Sequence, residues 1–261
     1  MEIAAPSRWK CIDFLSDIHL DETDQPTFEA WRRYLQTTAA DAVFILGDLF
    51  EVWVGDDALG GNNTFLNACV AALRQAGERL DLHIMAGNRD FLMGAALMQA
   101  CRATALADPS VLDFCGQRIV LTHGDALCLA DTDYQAFRHS VRSAAWQADF
   151  LAKPLAERQM IARSIRSQSE QRKQATTTYA DVEAGAAHAL LAAHQASLML
   201  HGHTHQPGDH ALAGGFRRLV LSDWCLGAAP PRGDVLRLCA PESGVTPVER
   251  LQADAWMDQS P

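Results

Sequence analysis

An α/β fold carrying a helical insertion is predicted from three observations. Short apolar runs alternate with helix-like apolar spacing through the first 125 residues. A polar cluster opens where each of several runs stops, and the stretch 131–195 replaces the alternation with a continuous helical pattern.

The elements follow in order. CIDFL (11–15), AVFIL (42–46) and LHIMAG (82–87) read as buried strands, because each is a short apolar run closed by Asp, Gly or Asn. Residues 26–38 and 64–76 between them carry helical spacing, and such a β-α-β-α order requires at least one largely parallel sheet. Strands return at 118–122, 197–201, 216–222 and 234–239. The last of these follow one another with little helix between, so a second, mixed or antiparallel sheet is expected. Residues 131–195 read as helical throughout, broken at Pro154, and as an insertion packed like a cap over the site. The core is then 1–130 together with 196–261, with the tail after about residue 243 partly disordered.

Composition narrows the function. A net charge of -10 argues against a nucleic-acid partner, which calls for a broad basic face. The seven cysteines, Cys11, Cys69, Cys101, Cys115, Cys128, Cys225 and Cys239, never occur as CxxC and read as reduced, mostly buried residues. The N-terminus lacks an export pattern and no apolar run reaches membrane-spanning length, so a cytoplasmic enzyme is expected.

The polar clusters are SDIH (16–19), GDLFEVWVGDD (47–57), GNRDF (87–91), THGD (122–125) and HGHTH (201–205). Carboxyl ends of strands converge on one edge of an α/β sheet, where ligands bind. Asp17, His19, Asp48, Asn88, His123, His203 and His205 offer oxygen and imidazole donors with no thiolate, a set suited to catalytic Mn²⁺, Fe or Zn²⁺. Seven side chains exceed the need of one catalytic ion, whereas two ions about 3.5–4 Å apart with a bridging carboxylate use all of them. Asp48, central in strand order, is the expected bridge. Two such metals activate a bound water and clamp phosphoryl oxygens. Any one cluster is explained by turn chemistry alone; the five in this order are not.

The order D-x-H, GD, GN, HGD and GHxH resembles the calcineurin-like metallophosphoesterase superfamily, which implies two β-sheets sandwiched by helices with a two-metal site at the strand ends. FLSDIHL, GDLFEVWVGDD, GNRDFLMG, LTHGDALC followed by DTDYQAFR, and HGHTHQP resemble, more narrowly, the UDP-2,3-diacylglucosamine diphosphatases of lipid A biosynthesis, over about residues 11–225. That resemblance implies Asp17, His19, Asp48 and His205 at one metal and Asp48, Asn88, His123 and His203 at the other, with manganese as the ion. It also implies catalytic roles for Asp48, Asn88, Arg89 and His123, and contacts from Asn88, Arg89, Asp131 and His203 to the sugar-phosphate. Ser169 and Lys173 match as insertion contacts. Relatives carry a lysine a few residues beyond Ser169, where this chain reads SEQRKQATTTYADV, with Thr176 near that place and Lys173 the nearest replacement.

Arg89 stands where many superfamily members have a histidine that protonates the leaving group. An arginine stays charged but offers a fork for phosphate oxygens. A phosphate leaving group, with a second pKa of about 6, needs little protonation, so a pyrophosphate substrate follows. An ion pair of Arg89 with Asp90 is the structural alternative. Within residues 134–173, Arg138, Arg142, Lys153, Arg158, Arg163, Arg166, Arg172 and Lys173 interleave with Trp146, Phe150, Leu151, Leu155, Met160, Ile161 and Ile165. This pattern fits an amphipathic helix packed on the core, an acyl-chain groove, or a peripheral contact with an anionic bilayer. The resemblance favours the last two, and with them a position on the cytoplasmic face of the bacterial inner membrane. The implied reaction is hydrolysis at the α-phosphorus of UDP-2,3-diacylglucosamine to UMP and 2,3-diacylglucosamine 1-phosphate. The alternatives are a pyrophosphohydrolase or phosphodiesterase on a soluble nucleotide, and a non-catalytic scaffold, against which the full ligand set stands. Asp125 is expected to orient His123 or nearby backbone, and Glu51, Asp56 and Asp57 to shape their loop. His201 is expected to be a plain strand-end residue.

Overall fold

The computed structural model describes residues 1–175, 181–241 and 246–256, without the side chains of 167–175 and 255–256. In chain order the elements are β1 (Glu2–Ala4), β2 (Cys11–Leu15), α1 (Gln25–Thr37), β3 (Ala42–Leu46), α2 (Thr64–Gly77), β4 (Asp81–Met85), α3 (Ala95–Cys101), β5 (Ala103–Leu106), β6 (Ser110–Phe114) and β7 (Gln117–Leu121). They continue with α4 (Thr132–Val141), α5 (Ala144–Leu151), α6 (Leu155–Ala175), α7 (Ala184–Ala193), β8 (Leu198–His201), β9 (Gly208–Ala211), β10 (Arg217–Val220), β11 (Asp234–Cys239) and β12 (Val248–Gln252).

Two mixed sheets result. One has the order β12-β11-β2-β3-β4-β5, parallel from β2 to β5, with β11 and β12 added antiparallel at one side. The other has the order β1-β6-β7-β8-β10-β9, in which β7, β8 and β10 run parallel. Strand β3 is buried along its whole length, which is why it reads as a continuous apolar run rather than an alternation.

The sheets face each other. Phe14, Phe44, Leu46 and Leu236 of the first pack against Phe114, Ile119, Leu121, Leu200 and Leu219 of the second. On the outer face of the first sheet, Trp31, Leu73, Leu97 and Cys101 from α1, α2 and α3 cover Val43, Ile45 and Ile84. On the outer face of the second, Ala187 and Leu191 of α7 cover Val120 and Met199. The layers are therefore helix, sheet, sheet, helix.

Side-chain caps start the helices where the sequence places them. Asp24 accepts from Thr27 N at 3.2 Å, with Pro26 in the first turn of α1, and Asn63 accepts from Leu66 N at 2.9 Å for α2. Pro154 separates α5 from α6. The apolar residues of this region divide. Phe150 is buried in the core beside Trp53, with Trp146, Leu155 and Ile161 packed against it, whereas Leu151 and Met160 are exposed.

One sequence expectation is corrected, and one further strand is added. Cys11 and Cys239 are joined by a disulfide rather than both reduced; they sit opposite each other on antiparallel β2 and β11, a pairing invisible at a sequence separation of 228. The region after residue 243 contains β12, which pairs with β11 from Leu238↔Val248 to Asp234↔Gln252. Its half-exposed residues give it no apolar run to read.

Candidate metal centre

The carboxyl ends of β2, β3, β4, β7 and β8 deliver the five polar clusters to one place. Backbone hydrogen bonds lock their loops together: Asp17 N donates to Gly47 O at 3.1 Å, His19 N to Asp48 O at 3.0 Å and Gly202 N to His123 O at 3.0 Å. The third of these joins β7 and β8 loops, and Trp224 N donates to Asp17 O at 2.9 Å to tie the two sheets. Asp17, His19, Asp48, His203 and His205 all have φ between 51 and 67°, the left-handed region. Such residues persist only where the surroundings over-determine them, and they gather at functional sites.

The cradle is too tight for anything larger than glycine at two positions. A Cβ on Gly87 would lie 2.1 Å from Asp48 Oδ1, and one on Gly47, at φ +95°, would lie 2.4 Å from His123 Nδ1. Glycine is required at both places because a side chain from another loop, His123 over Gly47 and Asp48 over Gly87, occupies the space a Cβ would take.

Asp17, Asp48 and His123 are buried, and ligand atoms of all three lie within 4.8 Å of one another; Asp17, His19 and His205 form a second such group. His205 Nε2 is 3.4 Å from Asp17 Oδ1, and His19 Nε2 is 3.9 Å from both Asp17 Oδ1 and Asp48 Oδ2. On the other side His123 Nε2 and His203 Nδ1 converge on Asn88 Oδ1 at 2.9 and 2.8 Å, and His123 Nε2 is 3.7 Å from Asp48 Oδ1. Asp48 thus lies between the two histidine groups. Arg89 N donates to Asp48 Oδ1 at 2.8 Å, and His203 N to Asp17 Oδ2 at 2.9 Å.

These residues fit divalent cations. Two carboxylates share one buried space, Asp17 Oδ1 is buried without a hydrogen-bond partner, and every donor is oxygen or imidazole. The electrostatics agree. Burial pushes the Asp17 carboxyl up, but contact with His205 and the charges of His123, His205 and His19 hold it well below the usual carboxylate range. Burial depresses His123, yet Asp48, Asp17, Asp125 and the Leu46 carbonyl outweigh it and raise the imidazole to about 9. Burial and the neighbouring His123 push His203 down to about 4. Asp90, raised to about 7 by burial and by Asp48, accepts from Gly87 N at 2.7 Å and Leu49 N at 2.8 Å, so it holds the two ligand loops in register.

The imidazoles are backed from behind. Leu46 O faces His123 Nδ1 at 3.0 Å, Glu51 Oε2 lies 3.1 Å from His19 Nδ1, and Asp223 Oδ2 lies 3.7 Å from His205 Nδ1. The Leu46 hydrogen bond fixes the His123 tautomer, and the two carboxylates stand within ion-pair reach of their imidazoles. The sequence does not single out Glu51 and Asp223 as neighbours of these imidazoles. Asp223 had a signal, since it ends the strand candidate at 216–222 with the same Ser-Asp pair as 16–17. Asp125 does not bond His123. Its Oδ2 accepts from Tyr134 Oη at 2.6 Å and Arg138 Nε at 2.8 Å instead, because Leu46 O already faces the imidazole. Nor does Arg89 pair with Asp90; its Nη1 lies 3.5 Å from Glu51 Oε1.

Helices α4 and α6 reach the same place. The Tyr134 ring stacks on His203 at 5.8 Å, Arg142 Nη2 donates to Gly87 O at 2.8 Å, and Arg166 contacts Glu51. Asp131 is exposed and caps α4 by accepting from Tyr134 N at 3.0 Å. His201 is buried at the end of β8 and pushed down to about 4 by that burial. The side chains of Ser169 and Lys173, and residue Thr176, lie outside the described residues.

Comparison with known proteins places this arrangement. The calcineurin-like phosphoesterase family model matches residues 12–207. A dimetal phosphatase from Danio rerio shares the fold, with a TM-score of 0.52 at 12% identity over 94% of this chain and 96% of that one. A UDP-2,3-diacylglucosamine hydrolase from Chromobacterium violaceum is 46% identical over 220 residues, 82% of this chain and 90% of the relative. One from Ralstonia nicotianae is 43% identical over 253 residues, 92% of each chain. A strand-end centre of this kind, a matching family model over three quarters of the sequence and these identities together mean that the chain belongs to the calcineurin-like phosphoesterases and, within them, to the family of the UDP-2,3-diacylglucosamine hydrolases.

Proposed function

We propose that the protein hydrolyses the pyrophosphate of UDP-2,3-diacylglucosamine at the α-phosphorus, releasing UMP and 2,3-diacylglucosamine 1-phosphate. The carrying observation is the convergence of Asp17, His19, Asp48, His123 and His205 in two carboxylate–imidazole groups, with Asn88 and His203 hydrogen-bonded beside them, in a chain 46% identical to a hydrolase of that name. Asp17, His19, Asp48 and His205 would hold one divalent ion and Asp48, Asn88, His123 and His203 the other, Mn²⁺ being the ion we assign. When bound, the pair supplies Lewis acidity and an activated water for in-line attack.

The protein's own groups do the rest. Arg89, anchored through its backbone to Asp48 and through its guanidinium to Glu51, presents a fixed positive charge to the departing phosphate. No general acid is needed at that place, because the leaving phosphate carries its own charge. Asn88 and His203 line the phosphate, while Asp131, at the exposed start of α4, faces the sugar; Ser169 and Lys173 complete the assignment from α6.

The region 131–195 is in this reading the insertion between core segments 1–130 and 196–261, with α4–α6 facing lipid and α7 packed on the second sheet. What supports it is the distribution of exposed apolar groups. Of the large hydrophobic residues exposed among those described, Leu129, Phe137, Leu151 and Met160 lie in or beside α4–α6. Exposed Lys153 stands among them. Apolar groups beside basic ones fit two acyl chains at an anionic membrane surface, on the cytoplasmic face of the inner membrane. No helix among the described residues is long and apolar enough to cross a membrane.

The test is a turnover assay in detergent on UDP-2,3-diacylglucosamine and on an unacylated UDP-sugar, with and without Mn²⁺. Manganese-dependent UMP release from the acylated substrate alone is expected. Equal turnover of the unacylated sugar would remove the lipid specificity and favour a soluble nucleotide.

A further inference from the structure

We propose that Glu51 is a positioning residue that sets His19 and Arg89 from one carboxylate and ties both to α6 through Arg166. For the identity of His19 as a ligand this rests on the two-ion reading above. Glu51 follows Asp48 by three residues, and its backbone N donates to Leu20 O at 3.2 Å, so the loops carrying Asp48 and His19 are stitched together behind the site. The side chain is 11% exposed, and its two oxygens do different things. Oε2 lies 3.1 Å from His19 Nδ1, which leaves His19 Nε2 directed at Asp17, Asp48 and His205. Oε1 lies 3.5 Å from Arg89 Nη1 and also contacts Arg166 Nη1.

Charge explains why this carboxylate matters more than a surface ion pair. The Arg89 and Arg166 side chains are only 17% and 32% exposed, so solvent screens them weakly. Neither guanidinium can lose its proton. Without the negative charge of Glu51, two cations would stand beside the imidazole that is to hold a third. With it, a carboxylate oxygen stands 3.1 Å from His19 Nδ1 and offsets that charge on the side away from Asp17 and Asp48. The cluster still holds two guanidiniums against one carboxylate, so it retains a positive charge toward which an anionic substrate group is drawn. Arg166 reaches this carboxylate from α6, so the placement of that helix and the setting of the His19 ligand share one residue.

Calorimetric titration of Mn²⁺ into chelator-stripped full-length protein tests this without any nucleotide, and so survives failure of the substrate assignment. Glu51→Gln is expected to weaken one of the two binding steps about 10–100-fold and to leave the other within about threefold. Glu51→Asp is expected to recover part of the loss. With bis-p-nitrophenyl phosphate as a generic phosphodiester, Arg166→Ala is expected to raise KM more than it lowers kcat. Its KM effect should vanish when added to Glu51→Gln, because both act through the same contact. Unchanged Mn²⁺ binding in Glu51→Gln would overturn the proposal. So would equal weakening of both steps together with a lowered Tm, the mark of a merely structural carboxylate, or fully additive KM effects.

Discussion

Asp17, Asp48 and His123 are held by short loops whose backbone is hydrogen-bonded loop to loop, whereas Tyr134, Arg138, Arg142 and Arg166 reach the same centre on long side chains from α4 and α6. The first group is buried, with left-handed backbone at Asp17 and Asp48 and glycines beneath. The second is partly exposed and meets the core through arginine contacts to carboxylates and a carbonyl. One region trades backbone freedom for fixed ligand geometry. The other is placed by side-chain contacts, some of which reach the candidate ligands themselves, as Tyr134 does on His203.

The largest expected effect comes from breaking the stiff region. Asp48→Ala removes the carboxylate between the two histidine groups and the acceptor for Arg89 N. Turnover should fall by about three to four orders of magnitude, because groups that act as a unit fail together. The check is a metal-content measurement beside the rate. Retained turnover in a variant that has lost one metal would end the two-ion assignment.

A smaller effect is expected at Arg158, which anchors the other region. Its side chain is 1% exposed, contacts Val54 O and Asp57, and donates from Nε to Lys153 O at 3.0 Å. Arg158→Ala should cost about 2–3 kcal/mol, the loss of charge-assisted hydrogen bonds from a buried donor. Asp57 is half exposed and regains water, which limits the damage. Limited proteolysis should show earlier cleavage in α6 while Mn²⁺ binding stays as in the parent. Parallel loss of metal binding would mean that the two regions are one mechanical unit.

The same contrast explains what the sequence made legible. A buried strand in an α/β layer is an apolar run, and the residue that ends it is displayed at the sheet edge, so Asp17, Asp48, Asn88, His123 and His203 could be found by where runs stop. Edge strands give no such signal: β9 alternates half-buried and exposed residues, and three of the four residues of β5 are Ala or Thr. Nothing local could reveal Glu51 behind His19, or Cys11 opposite Cys239, because each partner is set only by tertiary register. The expected Asp125–His123 contact failed for a related reason. Adjacent placement in the HGD motif does not decide which acceptor an imidazole meets, and Leu46 O from a different strand faces it.

The smallest expected effect lies in neither region but in the first sheet, at His83. Its ring stacks on Phe44 at 4.4 Å and 7°, meets Trp9 edge-on at 5.6 Å, and leaves Nδ1 buried without a hydrogen-bond partner. Burial depresses its pKa below the ordinary histidine value, with Asp81 opposing only in part. The unfolded chain therefore takes up a proton before the folded one as pH falls. The stability this neutral ring contributes is complete above about pH 6.5 and declines below it. His83→Phe keeps the stack and removes the titration, so the fall in Tm between pH 7.5 and 5.5 should be shallower than in the parent. Both proteins are measured in saturating Mn²⁺, so that acid loss of metal is common to the two curves. Identical slopes would mean that His83 contributes nothing to the acid sensitivity, which would then rest on other buried groups such as His201 and His203.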